Sequence, residues 1–282
     1  MVDYPKAFVT GYPISHSCSP QVHRYWLRLY KLEGWYEPVE ITVEHFPTFI
    51  QSLQERKYCG GNVTLPHKER AFTLAARCDR TATCIGSVNT LWFEEDVLCG
   101  SNTDAYGFIC NLNDCAPGWI RNTAIVIGAG GAACAILFAL KEQGFKKILL
   151  FNRTRTKADH LADRFGQEVF VADLDSINSY INRADLIVNT TSLGMRSSYN
   201  SNKNDINIDF TNAHPDLVVA DIVYTPRVTA FLKNAQKEGL KTVDGIGMLL
   251  HQAVPGFERW FGIRPQVTKE LRSHILITTQ EK

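Results

Sequence analysis

A lysine, an aspartate and a glycine-rich turn are the residues of this chain whose types and spacing could do chemistry. Lys68 closes the run Asn62-Val63-Thr64-Leu65-Pro66-His67-Lys68, and Asp104 closes Asn102-Thr103-Asp104. Both runs read as loops at the ends of short apolar segments. Further along, Thr123-Ala124-Ile125-Val126-Ile127 leads straight into Gly128-Ala129-Gly130-Gly131-Ala132-Ala133. Reducing a ketone puts negative charge on its oxygen as hydride arrives. A nearby ammonium stabilises that charge, and a positioned acid delivers the proton. Lys68 can do both, and Asp104 can hold Lys68 and bond the same substrate hydroxyl. Such a pair needs no metal, and the chain offers no obvious metal cluster.

The glycine turn matches G-x-G-x-x-A between a strand and a helix, the context that makes this motif informative. Gly128 suits the tight turn, Gly130 lets the backbone approach a pyrophosphate, and Ala133 lets the helix pack close to the sheet. Ala129, Gly131 and Ala132 complete the cradle, whose N–H groups at the helix start face phosphates. A tight turn without a ligand is the bland alternative. The next strand decides which dinucleotide is bound. An NAD site places an acid at its end, whereas here it ends in Asn152-Arg153-Thr154-Arg155. Guanidinium groups suit a 2′-phosphate by charge and bidentate geometry. The reading is NADP, with two merely solvated arginines as the alternative.

Bulk properties narrow the class. The chain has 282 residues, enough for two domains, with 45% hydrophobic and 21% charged residues. A net charge of +1 argues against a nucleic-acid binder. Eight scattered cysteines without a CxxC pair read as reduced thiols of a cytoplasmic protein. No signal-peptide pattern opens the chain. Residues 123–140 lack charge, but their glycines and alanines fit a buried strand, turn and helix better than a membrane span. The expected partners are small molecules, with no membrane and a monomer or homodimer.

The positioning elements follow from periodicity and punctuation. Strands are expected at 7–9, 39–42 and 62–65, with helices at 19–32, 44–56 and 67–77, and a hairpin at 88–93 and 97–100. Ser19 reads as an N-cap before Pro20. Residues 124–127, 147–151, 169–171, 186–189, 218–221 and 241–243 then read as strands alternating with helices at 132–143, 156–165 and 229–238. That alternation implies a doubly wound parallel sheet. Gly144 and Gly239 fall where helices end, and 197–212 reads as a mobile surface loop. Helices at 248–261 and 265–275 close the chain. The expected class is α/β with two domains: 1–104 plus 247–282 for substrate, 105–246 as the Rossmann-type NADP domain, and a cleft between them that closes on the ligands.

At this point the residues resemble the shikimate dehydrogenase family over nearly the whole chain. The marks are Gly11 to Pro20, Gly61 to Lys68, Gly86 to Thr90, Asn102 to Asp104, Asn152 to Thr154 and Asp244 to Gln252. The resemblance implies reversible NADPH-linked reduction of 3-dehydroshikimate to shikimate. It implies Ser17 and Ser19 on the substrate carboxylate, Thr64, Asn89 and Gln252 on its hydroxyls, and Lys68 with Asp104 as the catalytic pair. Tyr224 is similar to a tyrosine that closes over the carboxylate. Ile222, Gly245 and Met248 look like cofactor-side residues, joining Asn152, Arg153 and Thr154.

Plainer readings stand beside these roles. Ser19 and Asp104 are also plausible helix caps, and Asn89 a turn residue. His16, His67 and His251 read as wall or hydrogen-bonding residues; Cys18 could be an exposed, oxidisable thiol, but without a helix dipole or cationic neighbour it is not read as reactive. His67 and the asparagine-rich 197–212 loop depart from the family pattern. A quinate/shikimate dehydrogenase with broader substrate or NAD use is the nearest alternative. A folate-linked methylene dehydrogenase lacks the Asn102-Thr103-Asp104 signature. A non-catalytic NADP-binding sensor is the alternative from another class.

Overall fold

The structure, a computed structural model, describes residues 4–195, 206 and 208–280. The chain divides into two compact units, Met1–Thr103 with Leu249–Lys282, and Asp104–Met248.

The first unit is built on a mixed six-stranded sheet. In chain order it contains β1 (Lys6–Gly11), α1 (Ser19–Leu29), β2 (Trp35–Glu40), α2 (Phe46–Gln51), β3 (Gly60–Val63), α3 (Lys68–Leu74), β4 (Arg77–Cys78), α4 (Arg80–Ile85), β5 (Thr90–Glu94) and β6 (Val97–Ser101). The strand order is β2-β1-β3-β5-β6-β4. β1 runs parallel to β2 and β3, while β5 runs antiparallel to β3 and β6. Successive side chains of a strand point to opposite faces. Phe8 accordingly packs with Phe46, Phe49, Leu53 and Leu91, while Ala7 and Val9 pack with Tyr36, Trp92 and Trp260.

The second unit contains α5 (Asp104–Cys115), β7 (Thr123–Ile127), α6 (Gly131–Glu142), β8 (Lys147–Phe151), α7 (Arg155–Phe165), β9 (Val169–Ala172), β10 (Leu186–Asn189), β11 (Val218–Asp221), α8 (Ala230–Lys237) and β12 (Lys241–Val243). Two short 3-10 turns, Leu174–Ser179 and Ile181–Arg183, follow β9. The sheet is wholly parallel, in the order β12-β11-β10-β7-β8-β9. Its strand sequence reverses between β7 and β10, the position where doubly wound sheets bind ligands. Two helices close the chain, α9 (Ile246–Phe261) and α10 (Lys269–Gln280).

The differences from the sequence reading are local. Helix α1 starts one residue earlier than a Ser19 cap requires: Cys18 holds the cap position without a side-chain bond, and Ser19 lies in the first turn. Cys18 is buried, not exposed, with 4% of its surface accessible. Strand β4 and helix α4 have no counterpart in the sequence reading. Asp79 caps α4 by accepting from the Ala82 nitrogen at 2.8 Å. Helix α10 begins at Lys269 instead of 265, because the Thr268 hydroxyl caps it by accepting from Leu271 N–H. Of the expected loop at 197–212, residues 197–205 and 207 lie outside the described residues. Its later part is anchored, with Ile208 and Phe210 buried in the core.

Chain ends and middle meet in the first unit. Trp260 is 4% exposed, and its indole N–H donates to the Leu91 carbonyl at 2.9 Å. Trp260→Phe keeps most of the buried ring but removes that donor. It should lower stability by about 1–3 kcal/mol, read as a lower urea midpoint; an unchanged midpoint contradicts the role given to this bond.

Candidate active site

The first unit gathers most of the sequence-predicted catalytic and substrate-binding residues, Ser17, Ser19, Thr64, Lys68, Asn89 and Gln252, through backbone contacts. The Tyr12 nitrogen donates to the Leu65 carbonyl at 3.1 Å, and the Thr64 nitrogen to the Thr10 carbonyl at 2.8 Å. These bonds tie the serine loop to the Thr64 loop. Ser19 N–H donates to Ser17 Oγ at 3.3 Å, so the two serines share one turn; Ser17 is half-buried and Ser19 buried.

Helix α3 starts at Lys68, after Pro66, with His67 at its cap position and turned inward. The His67 ring stacks on Phe46 at 4.3 Å and 7°. Its Nε2 lies 2.7 Å from the Ile41 carbonyl. A carbonyl only accepts, so Nε2 carries the proton. Half-buried Lys68 therefore follows a clamped residue. Its carbonyl accepts from Val88 N–H at 2.9 Å, which brings the Lys68 turn to the residue before Asn89. A lysine at a helix start gains nothing from the helix dipole.

Asn89 is 3% exposed. Its Oδ1 accepts from the Thr103 nitrogen at 2.9 Å, and its Nδ2 donates to Gln252 Oε1 at 3.4 Å. The Thr103 hydroxyl reaches the Gln252 carbonyl at 2.8 Å. Asn102 is held by the Ser87 carbonyl and hydroxyl at 3.1 and 2.9 Å. The chain is thus pinned up to Asp104, the first residue of α5, which is 8% exposed.

The second unit holds the remaining candidates. Gly128 takes φ +111°, and a Cβ there would lie 2.6 Å from Thr190 Oγ1. The turn is thereby closed against the end of β10, where the Thr190 hydroxyl bonds the Ile127 carbonyl at 2.7 Å. A Cβ at Gly130 or Gly131 would meet nothing within 4 Å. Helix α6 begins at Gly131 with no side-chain cap, so the N–H groups of its first turn, at Gly131 and Ala132, take no bond from a cap side chain. Ala129 lies in the same turn. That geometry fits a pyrophosphate.

At the end of β8, the Asn152 amide folds back onto the Thr154 carbonyl at 2.8 Å. Arg153 is exposed. Arg155 is engaged elsewhere, with its guanidinium 2.6 Å from Asp173. The two arginines expected at a 2′-phosphate are therefore not equivalent. Asp173 follows β9, too far along the chain for spacing to reveal the pair.

Tyr224 and Ile222 are half-buried in the segment after β11. A Cβ at Gly245 would sit 2.4 Å from the Ile222 carbonyl, so only glycine permits that approach. Met248 is half-buried in the first turn of α9. Asp221, not singled out from sequence, anchors this segment. It accepts from Asn189 Nδ2 at 2.9 Å, the Val223 nitrogen at 3.0 Å and the Thr229 hydroxyl at 2.7 Å. Burial pushes its carboxyl up to about 6, against the pull of those three donors.

Three family models cover the chain. Residues 9–91 match the shikimate dehydrogenase substrate binding domain, 113–247 the shikimate / quinate 5-dehydrogenase model, and 245–269 the shikimate 5'-dehydrogenase C-terminal domain. This chain belongs to the shikimate dehydrogenase family. A relative from Bartonella henselae, named shikimate dehydrogenase (NADP(+)), is 56% identical over 99% of this chain and 95% of its own. The crystal structure of shikimate 5-dehydrogenase from Thermus thermophilus in complex with NADP(H) and shikimate shares 33% identity. It has a TM-score of 0.83 and covers 98% of this chain and 99% of that one. Quinate dehydrogenase from Corynebacterium glutamicum in complex with NAD shares 26% identity at a TM-score of 0.88, covering 98% and 99%. For a shikimate dehydrogenase family member the two-unit α/β architecture is the expected one. Among the described residues no helix is long and apolar enough to cross a membrane, and no group of three or more potential ligands could hold a metal.

The Asp221 carboxyl gives a pH test. Its folded value near 6 exceeds the ordinary 3.8, so between those values the native state keeps a proton that the unfolded chain has released. Native stability therefore falls as pH rises through that window. The stability difference between wild type and Asp221→Asn should shrink by roughly 3 kcal/mol from about pH 4 to pH 7. Urea unfolding of both proteins measures it, and a flat difference contradicts the raised value.

Proposed function

We propose that this chain catalyses the reversible NADPH-linked reduction of 3-dehydroshikimate to shikimate. The observation that carries the reading is the convergence in one unit of Lys68, anchored through its carbonyl to Val88, with the adjoining Asn89–Gln252 pair. Family membership over nearly the whole chain supports it. When bound, NADPH supplies the hydride.

The chain's residues supply the rest. Ser17 and Ser19 bond the substrate carboxylate with hydroxyls, avoiding the cost of burying a full positive charge. Thr64, Asn89 and Gln252 orient the ring by its oxygens. Lys68 stabilises the developing charge on the ketone oxygen and gives it a proton. Asp104 accepts from the same hydroxyl, fixing its direction. Tyr224 covers the carboxylate. Gly128, Ala129, Gly130, Gly131 and Ala132 hold the pyrophosphate, Asn152, Arg153 and Thr154 the adenosine end, and Ile222, Gly245 and Met248 the nicotinamide end.

Absorbance of NADPH, followed with shikimate or quinate and NADP or NAD in all four combinations, tests the whole reading. Signal chiefly with shikimate and NADP is expected. Signal with quinate and NAD moves the protein to the alternative. Lys68→Ala should lower kcat by about 100-fold or more and leave NADP affinity intact; unchanged turnover sinks the role. Arg153→Ser should raise the KM for NADP about 10-fold or more. Arg155→Ser, whose wild-type side chain is already held by Asp173, should raise it less. Equal effects of the two substitutions contradict the assignment.

A further inference from the structure

Beneath the proposed substrate-binding residues runs a buried polar chain to which the mechanism above gives no part. Tyr36 is 1% exposed, and its hydroxyl lies 2.5 Å from Asn62 Oδ1. Asn62 Nδ2 lies 3.1 Å from the Asn89 carbonyl and 3.2 Å from Thr90 Oγ1. Thr90 Oγ1 in turn lies 2.9 Å from Asn89 Oδ1. Asn62 is 4% exposed and Thr90 fully buried.

Elementary donor and acceptor rules give this chain one direction. The Asn62 atom beside the Asn89 carbonyl must be the amide nitrogen, because a carbonyl cannot donate. Its other terminal atom is therefore oxygen, and Tyr36 must donate to it. The Asn89 atom beside the Thr103 backbone nitrogen must likewise be oxygen, because an N–H cannot accept. The Thr90 hydroxyl adds a second donor to the same oxygen. The amide nitrogen of Asn89 is then the atom turned toward Gln252.

We propose that Tyr36, Asn62 and Thr90 are positioning residues that hold Asn89 so that its amide nitrogen, and not its oxygen, meets a substrate oxygen. The inference rests on the reading above that Asn89 and Gln252 bind substrate. It deepens that reading by making the site at Asn89 a donor site, suited to a hydroxyl or carbonyl oxygen of the ring.

The surroundings preserve this polarity. Burial holds the Tyr36 phenol well above its ordinary range, so it stays a donor. His23 stacks on its ring at 3.9 Å and 10°. Burial lowers His23 to about 3, so no charge competes beside the phenol. The Ser19 side chain lies next to the same phenol, which places the proposed carboxylate turn at the other end of the network.

The test compares wild type with Tyr36→Phe, Thr90→Val and a core control outside the network, Ile50→Val. Steady-state kinetics with shikimate and NADP, and Tm, are measured for each. Tyr36→Phe and Thr90→Val should each raise the KM for shikimate about 10-fold, with the KM for NADP within about twofold. Their double variant should show less than the product of the two effects, because both act through Asn89. Ile50→Val should lower Tm without moving the shikimate KM. An unmoved shikimate KM in folded Tyr36→Phe and Thr90→Val, or changes that follow Tm as in the control, overturns the proposal. A readout independent of turnover is the side-chain amide NMR signal of Asn89, assigned with Asn89→Ala. It should shift in Tyr36→Phe and not in Ile50→Val. An unshifted signal overturns the positioning role even for a wild type that fails to oxidise shikimate, an outcome that would sink the functional reading by itself.

Discussion

The hydrogen bond from the Thr103 backbone nitrogen to Asn89 Oδ1 is the constraint on which the first unit turns. A backbone N–H offers one donor and no alternative, so it orients the asparagine absolutely. Asn89 follows Val88, whose nitrogen holds the start of α3. Thr103 precedes α5 and reaches α9 through Gln252. Val88 and Asn89 together thus tie three segments remote in sequence. Fully satisfied buried networks of this kind rigidify a site, whereas partial ones are costly.

The second unit solves a different problem by backbone shape. Its parallel sheet opens at the reversal between β7 and β10. The Gly128 turn is held there by β10, with Thr190 filling the space where a Cβ would go. Asp221 plays the organising part that Asn89 plays in the other unit. The difference is charge: Asp221 is a carboxylate kept in an apolar setting by three donors, so its strength follows pH, while burial moves Tyr36 and His23 beside Asn62 away from their ordinary ranges.

How much could be read without coordinates follows from where each residue's partners lie. Strands β8, β10, β11 and β12 were legible to the residue, the first three because buried parallel strands appear as nearly unbroken apolar runs. The glycine turn was legible because its requirement is conformational and local. Strand β4 was not, since two residues pairing with β6 leave no periodicity to detect. The cap at Thr268 was present in the sequence but was outweighed by Pro265 as a helix-start signal. In the site, Lys68 and Asp104 stood out as polar residues in punctuated loops, while Asn89 was marked by the family resemblance. Tyr36 and Asn62 did not, because their meaning lies in each other, 26 residues apart. The inequivalence of Arg153 and Arg155 was hidden for the same reason, with Asp173 lying beyond another strand.

The split composition of the first unit has a consequence for the order in which the protein can be made. Trp26 in α1 donates to the carbonyl of Gln266, 240 residues later, and Leu91 waits 169 residues for Trp260. Every residue of the Rossmann-type unit is therefore synthesised before the first unit can complete its core. The segment carrying β1, α1 and β2 is completed only by residues made long after it. Its sheet face, with Ala7, Val9 and Tyr36, stays uncovered by Trp260 through most of translation. The apolar face of the first unit's sheet is thus complete only once the segment of α9 has been made.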